Sequence, residues 1–322
     1  MNDATPRLVP PAEDTWSQSL PLRVLRRLRW AVRDAFPRRP VTREIQGVTM
    51  TMPWSHRLPD YTGGDSLYGQ NLVRLAEQLS QQDHPLLVLD IGANIGDSAL
   101  QVLDVADARV LCVEADDFYL DFLHQNTDAD PRVVIEASLL QPDEHVPDGM
   151  VPVRVGGTTR FTRETATEAP SGGAPTVTVT ELRSRHPEFD ALRLVKSDTD
   201  GYEVQLVPAV AAAYAEARPV LFFEYDVVLT REAGLDPFAV WGELARLGYA
   251  EVAIWDNGGR PLTRLPIGSM QKAAQELAAV AGDGPASIRK RRRASPYWDV
   301  AVAHGDDEDG LAAIRALVPV RT

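Results

Sequence analysis

The fold is decided by residues 86–98, which read Leu-Leu-Val-Leu-Asp-Ile-Gly-Ala-Asn-Ile-Gly-Asp-Ser. Five of the first six residues are apolar with no polar alternation, the pattern of a parallel strand buried on both faces. Gly92 and Gly96 then bracket a turn, and Asp97 and Ser98 begin a sequence suited to a helix. A strand, a glycine turn and a helix in this order predict the nucleotide-binding corner of a doubly wound α/β fold.

The charge of this corner indicates which ligand it binds. In the dinucleotide fingerprint G-x-G-x-x-G, the pyrophosphate rests on the helix N-terminus. Here Asn94 occupies the position of the middle glycine, and Asp90 and Asp97 flank the turn. These carboxylates would repel a pyrophosphate, whereas they would tolerate the ammonium and sulfonium cations of S-adenosylmethionine. We therefore predict S-adenosylmethionine as the cofactor.

Two later strands complete the predicted cofactor site. The apolar run at 109–113 ends at Glu114, which follows Asp90 by 24 residues, close to the spacing at which an acidic residue binds ribose hydroxyls. The next apolar run, 132–136, places the two residues after it at the adenine edge, and Phe118 or Tyr119 is either an adenine-stacking ring or a core residue. The predicted cofactor-binding residues are Asp90, Gly92, Asn94, Gly96, Glu114, Ala137 and Ser138.

Two further motifs extend the pattern and carry a family resemblance. Residues 194–203 read Leu-Val-Lys-Ser-Asp-Thr-Asp-Gly-Tyr-Glu, and residues 221–225 read Leu-Phe-Phe-Glu-Tyr. Together with residues 90–97 and Val113-Glu114, they resemble the FkbM-type S-adenosylmethionine-dependent methyltransferases over roughly residues 40–305. The resemblance implies a class I methyltransferase fold, with a seven-stranded mostly parallel sheet, an antiparallel last strand and helices on both faces.

The same resemblance implies the reaction. Members of the family methylate a hydroxyl group of a small molecule such as a sugar, glycoside or polyketide, often in natural product biosynthesis or cell-surface glycan assembly. We therefore predict O-methylation of a small-molecule hydroxyl acceptor. A nitrogen acceptor stays open.

The sequence offers two candidates for the base that takes the acceptor proton, His56 and Asp198. His56 lies in residues 53–68, whose prolines, glycines and aromatic residues predict a loop that acts as a substrate lid. An imidazole is suited to accept a proton near neutral pH, although a histidine hydrogen-bonded within the loop is the alternative. Asp198 follows the strand predicted at 192–197, so its carboxylate should border the methyl donor.

A metal site is a further possibility at the same sheet edge. Asp198 and Glu224 end neighbouring predicted strands, and an oxygen-rich pair of this kind suits Mg²⁺. A carboxylate cluster that binds sugar hydroxyls without metal is the alternative.

Composition limits the partners. The 322 residues include 33 Lys and Arg against 46 Asp and Glu, a net charge of −13, which disfavours nucleic acid or an anionic membrane as a general partner. The single cysteine, Cys112, lies in an apolar run and is expected to be a packing residue. No apolar run approaches the roughly 20 residues of a membrane span, so we predict a cytoplasmic protein. No feature indicates an oligomeric state.

The chain divides into an N-terminal extension, residues 1–80, and a catalytic domain, residues 81–322. Within the extension, residues 20–36 form an amphipathic helical pattern with five arginines, suited either to a membrane surface or to packing on an acidic body. The five cations at 289–293 predict a solvated loop or, alternatively, a site for a phosphorylated substrate.

Two other functions use the same fold. An NAD(P)-dependent oxidoreductase should have the middle glycine and a Tyr-x-x-x-Lys or similar pair, neither of which is evident. A non-catalytic binding module would tolerate the loss of the cofactor acids, but Asp90 and Glu114 are both present.

Overall fold

The computed structural model describes residues 28–143, 150–155, 158–163, 174–281 and 297–319. The first part of the predicted basic helix and the basic run at 289–293 lie outside these residues. Among the described helices, none is both long enough and apolar enough to cross a bilayer.

Strands and helices alternate along most of the chain. The strands are β1 (Pro40–Ile45), β2 (Val48–Pro53), β3 (Leu86–Ile91), β4 (Ala108–Val113), β5 (Val133–Glu136), β6 (Leu139–Gln141), β7 (Met150–Val155), β8 (Thr158–Arg163), β9 (Thr176–Thr178), β10 (Leu194–Ser197), β11 (Val220–Tyr225), β12 (Tyr249–Asp256), β13 (Pro261–Pro266) and β14 (Trp298–His304). The helices are α1 (residues 28–34), α2 (Leu58–Tyr61), α3 (Gln70–Leu79), α4 (Asp97–Val105), α5 (Asp117–Thr127), α6 (Val179–Arg185), α7 (Glu203–Ala213), α8 (Val227–Glu232), α9 (Ala239–Arg246), α10 (Met270–Ala281) and α11 (Glu308–Leu317). Short 3₁₀ turns cover Pro187–Phe189 and Ile267–Ser269.

Eight strands form the central sheet, in the order β13-β12-β14-β11-β10-β3-β4-β5. Strands β3, β4, β5, β10 and β11 pair in parallel, and β14 is antiparallel to both of its neighbours. The chain runs outward from β3 to β5 and then crosses to β10, so the strand order reverses between β3 and β10. This is the class I methyltransferase fold, and the fold prediction is confirmed.

One strand more than the predicted seven is present. β13 pairs with β12 through a turn in which the Asp256 carboxylate accepts hydrogen bonds from the backbone of Gly258 and Arg260, each at 2.9 Å. The sequence does not predict this strand, because β13 begins and ends with proline and so lacks the usual signature of a strand.

Side chains of the sheet alternate between two apolar layers. Leu86 and Val88 of β3 join the cluster formed with α3, α4 and α11, and Leu89 and Ile91 join the cluster formed with α6, α7, α9 and α10. We call the first side the α4 face. Because the alternation continues along β3, Asp90 belongs to the α4 face at the carboxyl end of the sheet.

The β1-β2 hairpin packs against the glycine turn through a smaller apolar cluster. That cluster contains Ile45, Met50, Met52, Leu58, Ile95, Phe118, Tyr119 and Phe122. Asn126 of α5 links the two parts, since its Nδ2 donates to the carbonyls of Thr51 and Ile95, each at 2.8 Å. Burial of Phe118 and Tyr119 in this cluster favours the core role over adenine stacking.

Residues 53–68 differ from the predicted loop, because they contain the short helix α2. Pro59 lies in its first turn, where a proline costs no backbone hydrogen bond and its fixed φ suits a helix. The prolines and glycines predict a loop without regular structure, and this prediction is wrong for the four residues of α2.

Gly201 offers a test of the packing between β10 and α8. Its φ is +109°, and a Cβ would lie 2.5 Å from the carbonyl carbon of Leu229. Gly234 also has a positive φ, +80°, but a Cβ there would meet nothing within 4 Å. We expect Gly234→Ala to cost about 1 kcal/mol of unfolding free energy and Gly201→Ala about 1–3 kcal/mol more. Denaturant unfolding measures both, and equal losses would contradict the close contact.

Candidate active site

The turn after β3 has a left-handed backbone at three positions. The φ angles are +75° at Gly92, +52° at Asn94 and +84° at Gly96. A Cβ on Gly92 would overlap the carbonyl oxygen of Asp198, and one on Gly96 would lie 2.8 Å from Leu123 Cδ1. These two glycines are therefore required by protein contacts as well as by backbone angle. Asparagine tolerates this conformation, so Asn94 keeps the shape of the turn while adding a polar side chain.

A buried lysine holds this turn against β10. Lys196 Nζ lies 3.0 Å from Asp90 Oδ1 and donates to the carbonyl of Gly92, also at 3.0 Å. Burial lowers the pKa of Lys196, but the carboxylates of Asp90 and Asp198 more than offset this and hold it above its usual value. Asp90 is 1% exposed, and no hydrogen bond from the described residues reaches its Oδ2.

Glu114 follows β4 and closes the other side of the turn. Its carboxylate accepts hydrogen bonds from the backbone of Asn94 at 2.8 Å, Ala115 at 2.9 Å and Asp116 at 2.8 Å. Burial raises the pKa of Glu114, and these three donors oppose the rise. An ionised carboxylate has about four acceptor sites, so Glu114 keeps capacity for a ligand hydroxyl.

The ring of His56 contacts the turn directly. His56 Nε2 lies 3.1 Å from Asn94 Oδ1, and Nδ1 accepts a hydrogen bond from the backbone N–H of Leu58 at 3.2 Å. Nδ1 is thus the unprotonated nitrogen, and Nε2 carries the proton that it donates to Asn94. Burial lowers the pKa of His56 to about 4, so the ring is neutral at pH 7 with both nitrogens occupied. This geometry favours the loop-bound alternative over a general base.

Arg33 fixes the segment that carries His56. Its guanidinium donates to the carbonyl of Trp54 at 2.6 Å, to the carbonyl of His56, and to Asp60 Oδ2 at 2.8 Å. Arg33 is buried, and two of these three contacts are to backbone. The predicted lid is therefore connected both to α1 and to the glycine turn.

Three carboxylates lie level with one another beyond Asp90 and Lys196 on the α4 face. Lys196 pairs in register with Phe222, which brings Asp198 level with Glu224, and Glu224 pairs in register with Asp299 of β14. We call Asp198, Glu224 and Asp299 the acidic row. Asp198 is exposed, whereas Asp299 accepts a hydrogen bond from Asn71 Nδ2 at 2.7 Å.

The acidic row alters the protonation of its members. Burial, followed by the charge of Asp198, raises the pKa of Glu224 well above its usual value. Burial raises the pKa of Asp299 to about 7 despite the bond from Asn71. Burial and the same carboxylates also raise the phenol pKa values of Tyr68 and Tyr297, so both phenols keep their protons. The row thus combines an exposed carboxylate with neutral hydrogen-bond donors.

The described residues contain no group of three or more His, Cys, Asp or Glu side chains arranged to hold a metal ion. The predicted Mg²⁺ on Asp198 and Glu224 therefore lacks a ligand set of this kind within the described ranges.

The remaining predicted residues lie further along the sheet edge. Ala137 is exposed beyond β5, and Ser138 is buried with its Oγ donating to Glu136 Oε1 at 2.7 Å. Sequence reasoning gave no role to Glu203, the last residue of the second motif. Its carboxylate accepts from the backbone of Thr199 and from that of Gly201 at 2.8 Å, so it shapes the turn that presents Asp198.

Comparison with known proteins gives weak similarities only. No protein-family model matches the chain, and no curated protein matches it. Among solved structures, the N-methyltransferase NodS from Bradyrhizobium japonicum WM9 is 11% identical, covers 73% of this chain and 93% of its own, and has a TM-score of 0.38. A precorrin-6y C5,15-methyltransferase from Geobacter metallireducens GS-15 is 11% identical over 73% and 87%, with a TM-score of 0.35. A methyltransferase from Geobacter sulfurreducens in complex with S-adenosyl-L-homocysteine is 12% identical over 75% and 94%, with a TM-score of 0.36. Similarities of this size carry no conclusion about activity.

The environment of His56 predicts a pH dependence of stability. Because its pKa is about 4 in the folded chain and near 6.5 when unfolded, the unfolded chain binds more protons between these values. Stability from this group is complete above pH 6.5 and is lost as the pH falls toward 4, by about 2 kcal/mol between pH 7 and pH 5.

We expect His56→Gln to remove this part of the pH dependence, as measured by urea unfolding at both pH values. His84→Gln is the matched control, since His84 is exposed and should leave the dependence unchanged. If the free energy of unfolding fell equally between pH 7 and pH 5 in the wild type and in His56→Gln, the neutral, buried state of the His56 ring would be contradicted.

Proposed function

We propose that the chain is an S-adenosylmethionine-dependent methyltransferase. One observation carries the proposal: at the reversal point of the sheet, carboxylates outnumber cations. Asp90, Asp97, Glu114 and Asp198 surround the glycine turn, and Lys196 is the one cation that the described residues place among them. This excess of negative charge suits a ligand that carries an ammonium and a sulfonium group and opposes the pyrophosphate of a dinucleotide.

We assign each proposed cofactor-binding residue to one part of S-adenosylmethionine. Glu114 would accept hydrogen bonds from the ribose hydroxyls, and Asp90 with the turn at Gly92, Asn94 and Gly96 would hold the methionine part. Ala137 and Ser138 are proposed at the adenine edge. S-adenosylmethionine, when bound, supplies an electrophilic methyl group on a sulfonium.

The acidic row is the proposed acceptor site. Asp198 is the proposed base, which would take the proton of the acceptor hydroxyl while that oxygen gains the methyl group and S-adenosylhomocysteine leaves as the thioether. Glu224, held neutral by burial, can donate a hydrogen bond that orients that oxygen. His56, the other candidate base, acts in this proposal by holding Asn94. No step requires Mg²⁺.

The finer assignment follows the sequence motifs. We propose membership of the FkbM family, O-methylation of a sugar, glycoside or polyketide-type hydroxyl, and a role in natural product biosynthesis. Residues 81–322 are the proposed catalytic domain, and residues 1–80 the extension that contributes the lid. An oxidoreductase that uses NAD(P) and a non-catalytic module are the alternatives that the next experiment distinguishes.

Glu114 allows the cofactor to be tested by calorimetry with S-adenosylhomocysteine and, separately, NADH. We expect S-adenosylhomocysteine to bind and Glu114→Gln to weaken its binding by about 10–100-fold, because hydrogen bonds to a charged carboxylate contribute about 1.5–3 kcal/mol. Glu77→Gln, at an exposed position on α3, is the control and should bind normally. Binding of NADH alone would favour the oxidoreductase, and binding of neither would favour the non-catalytic module.

Asp198 allows the base to be tested. In Asp198→Asn, we expect the affinity for S-adenosylhomocysteine to be retained and methyl transfer to fall by about 10²–10⁴-fold. Transfer of labelled methyl from S-adenosylmethionine to a panel of hydroxylated acceptors, with and without Mg²⁺, measures this effect. Asp121→Asn on the exposed side of α5 is the control. Full activity in Asp198→Asn would remove Asp198 as the base.

A further inference from the structure

Helix α1 packs on the protein through its polar side. Arg33 is buried against the carbonyls of Trp54 and His56, and Arg57 Nη2 contacts both carboxylate oxygens of Asp34 at 2.7 Å. Trp30 Nε1 donates to Asp60 Oδ2 at 3.1 Å. The residues that hold α1 in place are therefore an indole, a guanidinium and a carboxylate. The apolar side of the amphipathic helix is left outside.

That outward side is a continuous apolar strip. Leu28, Val32 and Phe36 follow one another at four-residue spacing and are 59%, 52% and 57% exposed. Ala31 of α1 is also exposed, and so is Ala35, which together with Phe36 directly follows the end of the helix. Among the described residues, the other exposed large apolar side chains are Tyr61 at 50% and Val105 at 38%, which lie apart in the sequence. We call Leu28, Val32 and Phe36 the apolar ridge.

Arginines border the ridge. Four exposed arginines belong to α1 and the segment that follows it, and they are Arg29, Arg38, Arg39 and Arg43. Within residues 28–57, four arginines and two acidic residues, Asp34 and Glu44, are exposed, although the whole chain has a net charge of −13. Positive charge is thus concentrated in the part of the chain that exposes the ridge. This local charge is opposite to that of the protein as a whole.

A cavity of about 200 Å³ lies between α1, the β1-β2 hairpin and the segment after β2. Arg29, Arg33 and Arg43 line it together with Trp54, and Glu44 is its one acidic lining residue. Arg29 follows Leu28 on α1, so this cavity adjoins the ridge. The exposed guanidinium groups of Arg29 and Arg43 at this cavity suit a phosphate group, whereas the guanidinium of Arg33 is already bound to Trp54, His56 and Asp60.

We propose that the apolar ridge and its arginines bind the surface of an anionic phospholipid bilayer. The ridge enters the boundary between headgroups and acyl chains, and the lipid phosphates contact the surrounding arginines. Charge complementarity favours this occupant over a second copy of the chain. A two-fold contact between ridges would bring the same arginines against each other. The acidic remainder of the protein would be repelled from the lipid, which orients α1 toward the membrane.

The proposal differs from the sequence expectation on one point. The net charge of −13 disfavours an anionic membrane as a general partner, but that figure averages over the whole chain. Within about one Debye length, roughly 8–10 Å at physiological ionic strength, a surface responds to the charges that face it. The arginines around α1 are those charges.

Co-sedimentation of the full chain with lipid vesicles tests this proposal. We expect the protein to pellet with vesicles of phosphatidylcholine mixed with phosphatidylglycerol and to stay in solution with phosphatidylcholine alone. Added NaCl should reduce the bound fraction, because the arginine contacts are screened. Val32→Glu and Phe36→Glu should each weaken binding by about tenfold or more, and the double variant Arg29→Gln, Arg43→Gln should do the same.

Val105→Glu is the matched control, since Val105 is 38% exposed on α4 and lies outside the ridge. It should bind vesicles as the wild type does, and thermal unfolding of each variant checks that its fold is intact. Failure of the wild type to bind anionic vesicles would overturn the proposal. Equal binding by the wild type and all ridge and arginine variants would also overturn it. So would a wild-type dimer that Val32→Glu converts to monomer, because a second copy would then cover the ridge.

Discussion

A single buried ammonium group organises the centre of this protein. A charge taken out of water costs several kcal/mol unless it is paired and hydrogen-bonded. Lys196 meets both conditions by contacting Asp90 on β3 and the Gly92 carbonyl in the turn. These contacts join the two strands between which the sheet order reverses, and they fix the start of the glycine turn. Because the ammonium group of Lys196 is already paired with Asp90, the other carboxylates around it keep an excess of negative charge that a cationic ligand can balance.

The core of the fold could be predicted because a parallel strand needs apolar residues on both faces. The runs that became β3, β4, β5, β10 and β11 were recognised for this reason. The orientation of α1 could not be predicted in the same way. Amphipathic periodicity favours an apolar face turned inward, yet Arg33 finds two backbone carbonyls that only the folded segment after β2 provides.

In the candidate site too, features set by local sequence could be predicted, whereas contacts between residues far apart in the chain could not. The glycine turn, Glu114 and Asp198 directly follow strands that the sequence predicts, so their position at the carboxyl edge of the sheet could be predicted. The state of His56 depends on Asn94, 38 residues away, and on the backbone of Leu58, and neither contact leaves a pattern in the sequence. The acidic row draws on three strands, and Asp299 joins it only because β14 inserts antiparallel beside β11. Long-range register of this kind cannot be read from spacing.

The hydrogen bond between His56 and Asn94 connects the outer surface of the extension with the centre of the sheet. It continues on one side through Arg33 to α1 and on the other through Asn94 to Glu114. Coupling between two sites is reciprocal, so if holding α1 strengthens ligand binding at the turn, a ligand in the turn strengthens the hold on α1 by the same factor. A surface that immobilises α1 would then act as an effector of the glycine turn, and occupancy of the turn would in return tighten attachment to that surface.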